Sequence, residues 1–269
     1  MSCNKVFICN FANMKISVVI QTYNSERYLK RVLEAVKAFD EVVICDMHST
    51  DRTLSIAEEF GCKIVFHEKL GYCEPARNFA IQSASHDWVL VVDSDEIVTD
   101  ALRVFLYEQL QRDDCPEGIR IPRKNYFMGK FMHADYPDYI LRFIRKDRVD
   151  WPIKVHSTPH IEGRVETVSA KRKDLAFIHL YGNHFSKHIE KLNTYTDMEI
   201  PKRKGKNYSM AAMLYGPAHR FIKSYFIKGG FRDGKAGYVN ARMDAFYKFA
   251  TIAKLWENKL TDEDLEINE

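Results

Sequence analysis

The sequence lacks the features that would assign it to several common classes of protein. No apolar run approaches the roughly 18 residues that a membrane-spanning helix needs, and no basic region followed by a long apolar stretch begins the chain. The six cysteines show neither CxxC nor CxxH spacing, so we expect buried thiols in a reducing compartment instead of disulfides or a zinc site. No internal repeat or low-complexity tract is present. We therefore expect a cytoplasmic globular protein whose folded part begins at about Met14.

Positive charge is concentrated late in the chain. Residues 1–100 contain ten Lys/Arg and fifteen Asp/Glu, whereas residues 201–248 contain eleven Lys/Arg and only two acids, Asp233 and Asp244. A basic block interleaved with Tyr and Phe indicates an anionic partner, which leaves nucleic acid, a phosphorylated glycan and an acidic membrane surface open. A merely solvated basic face is the alternative.

The most informative local feature is an apolar run that ends in three carboxylates. Residues 88–92 are followed by Asp93, Ser94, Asp95 and Glu96. Because isolated carboxylates are costly to desolvate, three of them at a strand end indicate a divalent cation or a phosphate-bearing ligand. Carboxylate oxygens suit Mg²⁺ or Mn²⁺, and these ions also bridge diphosphate oxygens. A solvated turn is the alternative interpretation.

The hydrophobic pattern predicts an α/β fold. Strands are predicted at 16–22, 42–45, 63–66 and 88–92, with helices between them, and this alternation implies a mostly parallel, Rossmann-like central sheet flanked by helices. Strands at 140–144 and 176–180 should extend that sheet. From residue 186 the chain becomes helical and basic, and an apolar stripe from Arg242 to Leu260 predicts a packing face, with a membrane anchor as the alternative. We therefore predict a catalytic domain over 14–185 and a helical C-terminal extension over 186–260.

Polar residues follow three of the predicted strands. Thr22, Tyr23 and Asn24 end the first strand, Asp46 ends the second, and the acidic segment from Asp93 ends the fourth. Since ligands in open α/β sheets bind at the carboxyl ends of the strands, we expect these side chains to share one crevice.

The motifs in this order resemble those of a known family. Residues 16–24 (ISVVIQTYN), Asp46 with residues 49–53 (STDRT), and residues 93–96 (DSDE, a DXD motif) resemble family-2 glycosyltransferases of the GT-A fold. Residues 76–78 (ARN) and 137–143 (PDYILRF) are similar to the branch that includes the lipopolysaccharide-core β-1,4-glucosyltransferases. The similarity runs from about Met14 to about Trp256.

The resemblance implies an inverting transfer of a hexose from a nucleotide-diphospho-sugar, with a UDP-sugar as the expected donor and Mg²⁺ or Mn²⁺ as cofactor. Asp46 would hold the base or ribose, and Asp93 would contact the ribose or the nucleotide side. Arg77 would meet a phosphate or fix Asp93 by a bidentate pair. The remaining residues of the nucleotide pocket would be Thr22, Tyr23 and Asn24.

The same resemblance implies a cation bound by Asp95, with Glu96 near the metal or the donor sugar. A late histidine joins the metal shell in some related enzymes, and His156 is the preferred candidate, with His179 as a second one. Where many relatives carry Glu after this histidine, the chain has Ser157.

Inversion also requires a general base on the acceptor side. Asp138 is the preferred candidate because it precedes Arg142 as the base precedes an Arg in the family. Asp135 and Glu162 remain open alternatives.

The expected acceptor is a glycan or glycolipid such as lipopolysaccharide core, with peripheral contact at the cytoplasmic face of the inner membrane. No nucleic-acid partner is expected on this interpretation. Two alternatives stay open: a sugar-phosphate nucleotidylyltransferase, and a nucleic-acid or anionic-surface binding protein that uses the basic C-terminal third. The first is disfavoured because no glycine follows the first strand.

Overall fold

The computed structural model describes residues 14–69, 74–152, 158–180 and 185–260. Its contacts divide the chain into two compact units. The first unit comprises the chain up to Lys124 together with Pro137–Leu180, and the second comprises Asn125–Tyr136 together with the chain from Tyr181 onward. The domain boundary at residue 185 stays a prediction.

Twelve strands and seven α-helices make up the regular structure of the described residues. The strands are β1 Ile16–Thr22, β2 Glu41–Asp46, β3 Lys63–Phe66, β4 Trp88–Asp93, β5 Glu96–Ile97, β6 Gly118–Phe127, β7 Lys130–Phe131, β8 Asp138–Arg145, β9 Val149–Asp150, β10 His160–Ile161, β11 Val165–Thr167 and β12 Phe177–His179. The helices are α1 Glu26–Val36, α2 Thr53–Glu59, α3 Glu74–Gln82, α4 Asp100–Leu110, α5 Phe185–Lys202, α6 Met210–Ile222 and α7 Gly234–Glu257.

The main sheet has the strand order β3-β2-β1-β4-β8-β6-β12-β5. Strands β3, β2, β1 and β4 are mutually parallel, so their carboxyl ends lie at one edge. β8 then pairs antiparallel with both β4 and β6, and β12 pairs antiparallel with β5. The predicted α/β fold with a Rossmann-like sheet is confirmed, and the antiparallel strands extend it.

Helices cover both faces of the parallel strands because alternate residues of β1 point to opposite sides. Val18 and Ile20 are fully buried in one apolar cluster with Leu29 of α1, while Val19 enters a second cluster with Ile81 of α3. Strands buried on both faces are expected to be continuously apolar, as residues 18–20 of β1 and 88–92 of β4 are.

The second unit is helical, and α7 is its central element. Glycine is required at position 237, since a Cβ atom there would lie 1.9 Å from the carbonyl oxygen of Gly230. The buried face of α7 includes Ala241, Ile252 and Leu255, whereas the predicted stripe is half exposed, with Phe246 and Phe249 at 45% and 43%. Among the helices that the structure describes, none combines the length and the apolar character needed to cross a bilayer.

Candidate functional site

The loops after β1 and β2 are held together by side-chain hydrogen bonds. The Asn24 side chain accepts from the backbone N–H of Thr50 at 2.8 Å, and the backbone N–H of Asn24 donates to Ser49 Oγ at 2.9 Å. Asn24 and His48 both have positive φ, 47° and 60°, a conformation that asparagine adopts more readily than most residues. The two sequence motifs therefore build one shared loop surface at the carboxyl ends of the strands.

Asp46 lies beneath this surface and is fully buried. Its Oδ2 accepts from Thr22 Oγ1 at 2.7 Å and from Ser49 Oγ at 2.6 Å, while Oδ1 accepts from the Ser49 N–H at 2.7 Å. A buried carboxylate satisfied in this way fixes the loop geometry. Tyr23, by contrast, is 38% exposed, and the Lys69 ammonium lies 3.8 Å from its ring centroid. Tyr23 thus offers an exposed aromatic face at the site.

Asp93, at the end of β4, lies between two arginines. Arg77 Nη2 donates to Oδ1 at 3.1 Å, and Arg142 Nη2 donates to Oδ2. Both guanidinium groups are nearly buried and lie over the Trp151 ring, at 4.6 Å for Arg77 and 6.0 Å for Arg142. Burial alone would raise the pKa of Asp93, but the charges of Arg142 and Arg77 outweigh it and hold the pKa well below its ordinary value.

This ion pairing predicts an acid-sensitive contribution to stability. The folded pKa of Asp93 lies below its unfolded value of about 3.9, so the stabilisation is present above that pH and is lost as the pH falls through the folded pKa. We expect Asp93→Asn to be destabilised by about 3 kcal/mol at neutral pH, since two buried arginines lose a charged partner. Urea unfolding without metal should show that the difference in free energy of unfolding between Asp93→Asn and the wild type becomes smaller below about pH 4. A difference independent of pH would contradict this account.

Glu96 differs from its acidic neighbours because its side chain is fully buried. Its Oε2 accepts from the backbone N–H of Asp93 at 3.0 Å, and its Oε1 accepts from Arg123 Nη1 at 2.9 Å. Arg123 also donates twice to Asp138 Oδ2, from Nε at 2.9 Å and from Nη2 at 2.7 Å. Arg123 therefore ties Asp138, at the start of β8, to the acidic turn after β4.

Asp95 faces His179, with 3.5 Å between Oδ2 and Nε2. The pairing of β12 with β5 places His179 opposite Glu96, and the N–H of Leu180 donates to the Asp95 carbonyl at 2.9 Å. Both side chains keep part of their surface exposed, 20% for Asp95 and 13% for His179. One carboxylate oxygen and one imidazole nitrogen at this separation fit a divalent cation, because adjacent octahedral ligands at about 2.1 Å lie about 3 Å apart. No group of three or more such ligands occurs among the described residues.

The structure brings most of the predicted site residues to the carboxyl ends of β1, β2 and β4, but not all can be placed. His156 lies outside the described residues, so its predicted role cannot be compared. Of the alternative bases, Glu162 is 79% exposed and lies 3.5 Å from Arg148 on the β9–β10 hairpin. Asp135 belongs to the second unit, where it accepts from Asn240 Nδ2 at 3.1 Å.

The sequence argument missed the roles of Arg123, Arg142 and Trp151. In the sequence, Arg142 served only to identify Asp138 as the carboxylate that precedes an arginine. No local pattern distinguishes Arg123 from the other arginines of the middle segment. For Trp151, the sequence contains one weak indication, which is Asn78 of the ARN motif. The backbone N–H of Trp151 donates to Asn78 Oδ1 at 3.0 Å, and the Asn78 side-chain amide donates to the Trp151 carbonyl at 2.8 Å, so the ARN motif positions both Arg77 and the tryptophan.

Comparisons with known proteins identify relatives of this chain. A family model described as "Glycosyl transferase family 2" matches residues 17–166. The lipopolysaccharide core biosynthesis glycosyltransferase LpsC of Rhizobium meliloti is 28% identical over 258 residues, which cover 91% of this chain and 93% of the relative. An uncharacterized glycosyltransferase of Rickettsia typhi is 27% identical over 265 residues, covering 91% and 88%.

A solved structure shows the same fold. The mannosyltransferase PcManGT from Pyrobaculum calidifontis, in complex with GDP-Man and Mn²⁺, matches with a TM-score of 0.53 and 14% sequence identity. The match covers 91% of this chain and 88% of that one.

Proposed function

Because the chain belongs to glycosyl transferase family 2 and is a glycosyltransferase, we propose that it transfers a hexose, with inversion, from a nucleotide-diphospho-sugar to a glycan or glycolipid acceptor. The observation that carries this proposal is the pair of Asp95 and His179 beside the ion-paired Asp93, at the carboxyl end of β4. We infer a UDP-sugar as the donor and a lipopolysaccharide-core sugar as the acceptor. The relative LpsC, a lipopolysaccharide core glycosyltransferase, supports this acceptor.

The role that we propose for each residue of the donor site depends on whether its side chain is exposed or buried. Tyr23 offers its exposed ring to the nucleotide base, while Thr22, Asn24 and the buried Asp46 shape the pocket through the bonded loops. Asp93 is held in its charged form by its arginine partners, and on our proposal it orients the ribose side of the donor. The family match favours this interpretation over the nucleotidylyltransferase alternative.

Asp95 and His179 would hold the divalent cation, either Mg²⁺ or Mn²⁺. When bound there, the cation supplies charge neutralisation for the diphosphate leaving group. The two protein ligands leave the other coordination positions to donor oxygens and water, as expected for cations that bridge phosphates. Supporting this choice, PcManGT is described with GDP-Man and Mn²⁺.

Asp138 is our candidate for the general base. Its connection through Arg123 to Glu96 ties it to the acidic turn, whereas Glu162 is paired on a different hairpin. In an inverting transfer, the base accepts the proton of the attacking acceptor hydroxyl while the nucleoside diphosphate leaves from the opposite face of the sugar. Asp138 would accept that proton through its carboxylate.

Thermal denaturation with nucleotides tests the donor site. We expect a nucleoside diphosphate, UDP in particular, to raise the melting temperature in the presence of Mn²⁺, because a ligand that binds only the native state stabilises it. Asp95→Ala should lose the metal-dependent part of this shift. Asp147→Ala, on an exposed turn, serves as the matched control and should keep it. If none of UDP, GDP, ADP and CMP raises the melting temperature of the wild type in the presence of Mn²⁺, the donor proposal is wrong.

A further inference from the structure

Helix α6 has an apolar outer face that other described residues leave open. Met210, Leu214, Ala218 and Ile222 recur every four residues and so share one face of the helix, with Tyr215 beside them. These side chains are exposed, Leu214 at 71% and Tyr215 at 75%. We call these five residues the outer face of α6.

A different side of α6 packs on α7. Met213 is buried there, and a Cβ atom on Gly216 would lie 3.2 Å from the Lys248 side chain. A surface helix normally buries its apolar stripe and exposes polar residues. Helix α6 instead carries apolar residues on both sides, which identifies its outer face as a surface for a further contact.

The apolar surface continues beyond α6 within the same unit. An open groove between α6 and α7 is lined by Ala218 and Ile222 on one side and by Phe246 and Phe249 on the other. In the segment that links the two helices, Phe226, Ile227 and Phe231 are all more than half exposed. The exposed apolar side chains therefore form a cluster, and are not scattered singly as on an ordinary soluble surface.

Positive charge surrounds this apolar surface. Residues 200–232 contain eight Lys/Arg and no Asp/Glu. Four of these cations, Arg220, Lys223, Lys228 and Arg232, are exposed within or next to the apolar segment. Apolar and aromatic side chains bordered by Lys and Arg are the composition of interfacial segments that lie in the headgroup region of anionic membranes.

We propose that the outer face of α6, with the groove and the basic segment beside it, docks on the surface of a bilayer that contains anionic phospholipids. Aliphatic and aromatic side chains would enter the boundary between headgroups and acyl chains, and the cations would contact lipid phosphates. The proposal does not depend on the proposed sugar transfer, although a membrane-anchored acceptor would give the contact a use.

Charge and polarity favour the bilayer over other occupants. In a symmetric dimer through this face, the four exposed cations of each copy that lie within or next to the apolar segment would approach those of the other copy. A nucleic acid would satisfy the cations, but nucleic-acid interfaces are polar and would cover Leu214, Tyr215 and Ile227 poorly. An anionic bilayer satisfies the apolar and the charged groups together.

Vesicle co-sedimentation of the full chain tests the proposal. We expect binding to phosphatidylcholine vesicles with about 30% phosphatidylglycerol to be at least about tenfold tighter than to pure phosphatidylcholine, and to weaken as salt is raised. Leu214→Ser should weaken binding about tenfold, because it removes an apolar group that enters the bilayer. Val104→Ser, at an exposed apolar position on α4, is the matched control and should bind as the wild type does.

A double substitution that removes two positive charges distinguishes the electrostatic contribution to vesicle binding from the apolar contribution. Lys223→Gln/Lys228→Gln should weaken binding to anionic vesicles about tenfold and leave binding to neutral vesicles unchanged. Lys30→Gln/Arg31→Gln, which removes two exposed cations on α1, should have little effect. Retained melting temperatures in all variants exclude unfolding as the cause.

Several results would overturn the membrane proposal. Equal binding to neutral and anionic vesicles, or equal effects of Leu214→Ser and Val104→Ser, would do so. The proposal would also be wrong if the protein did not bind vesicles but formed a dimer that Leu214→Ser dissociates. The same holds if it did not bind vesicles but bound RNA in a salt-sensitive way. Anionic vesicle binding in a protein that shows no nucleotide shift would uphold this inference and refute the donor proposal, so the two failures are distinguishable.

Discussion

Asp138→Asn is expected to lower the rate constant of sugar transfer about 1,000-fold while the affinity for the nucleoside diphosphate stays the same. Asparagine has nearly the same shape and can still accept hydrogen bonds from Arg123, so the site geometry should persist. It cannot accept the proton of the acceptor hydroxyl. The loss should therefore fall on the transfer step and not on donor binding.

Single-turnover transfer and nucleotide titration measure these two quantities separately. The wild-type rate should fall at acidic pH as the base is protonated, and this limb should be absent from the residual activity of Asp138→Asn. Glu162→Gln and Asp135→Asn are the matched controls because they remove the two alternative carboxylates. A large rate loss in either control, with Asp138→Asn near wild type, would assign the base to the other residue.

Arg123→Met is expected to destabilise the protein by about 3 kcal/mol, since it removes the hydrogen-bonded cation of the fully buried Glu96 carboxylate, although Arg142 remains 3.9 Å from that carboxylate. With a shift of about 2–4 °C per kcal/mol, the melting temperature should fall by about 10 °C. The same change removes both hydrogen bonds to Asp138, so transfer activity should decline even below the new transition temperature.

Two further variants test the cause of this loss. Arg120→Met alters an exposed arginine on the same strand and should change the free energy of unfolding by less than about 0.5 kcal/mol. Adding Glu96→Gln to Arg123→Met should recover part of the stability, because an uncharged amide costs less to bury. If the double variant is less stable than Arg123→Met alone, the unpaired charge is not the cause.

The local pattern predicted much of the first unit. Gly61 follows α2 with φ of 66°, as expected for a glycine that ends a helix. The helix expected between the third and fourth predicted strands corresponds to α3, Glu74–Gln82, and the predicted strand at 88–92 corresponds to β4, Trp88–Asp93. These elements could be predicted because apolar periodicity, β-branched residues and glycine act over a few neighbouring residues.

The contacts around the acidic turn could not be predicted in the same way. His179 meets Asp95 because β12 pairs antiparallel with β5, and Arg123 meets Asp138 because the two residues are opposite each other in the pairing of β6 with β8. The pairing of strands far apart in the chain is decided by packing and register, which no local window contains. The position of His179 beside Asp95 therefore could not be predicted from its neighbours in the sequence.

The sequence by itself determined the order of the first four strands and the helices between them, the polar strand ends of the candidate site and the basic character of the C-terminal third, because each depends on the residue types of a short segment. Only the tertiary structure decided which carboxylates are buried, which arginines neutralise them and which apolar face of α6 stays open. Burial and ion pairing depend on neighbours from distant parts of the chain, and an apolar stripe does not reveal whether another helix covers it.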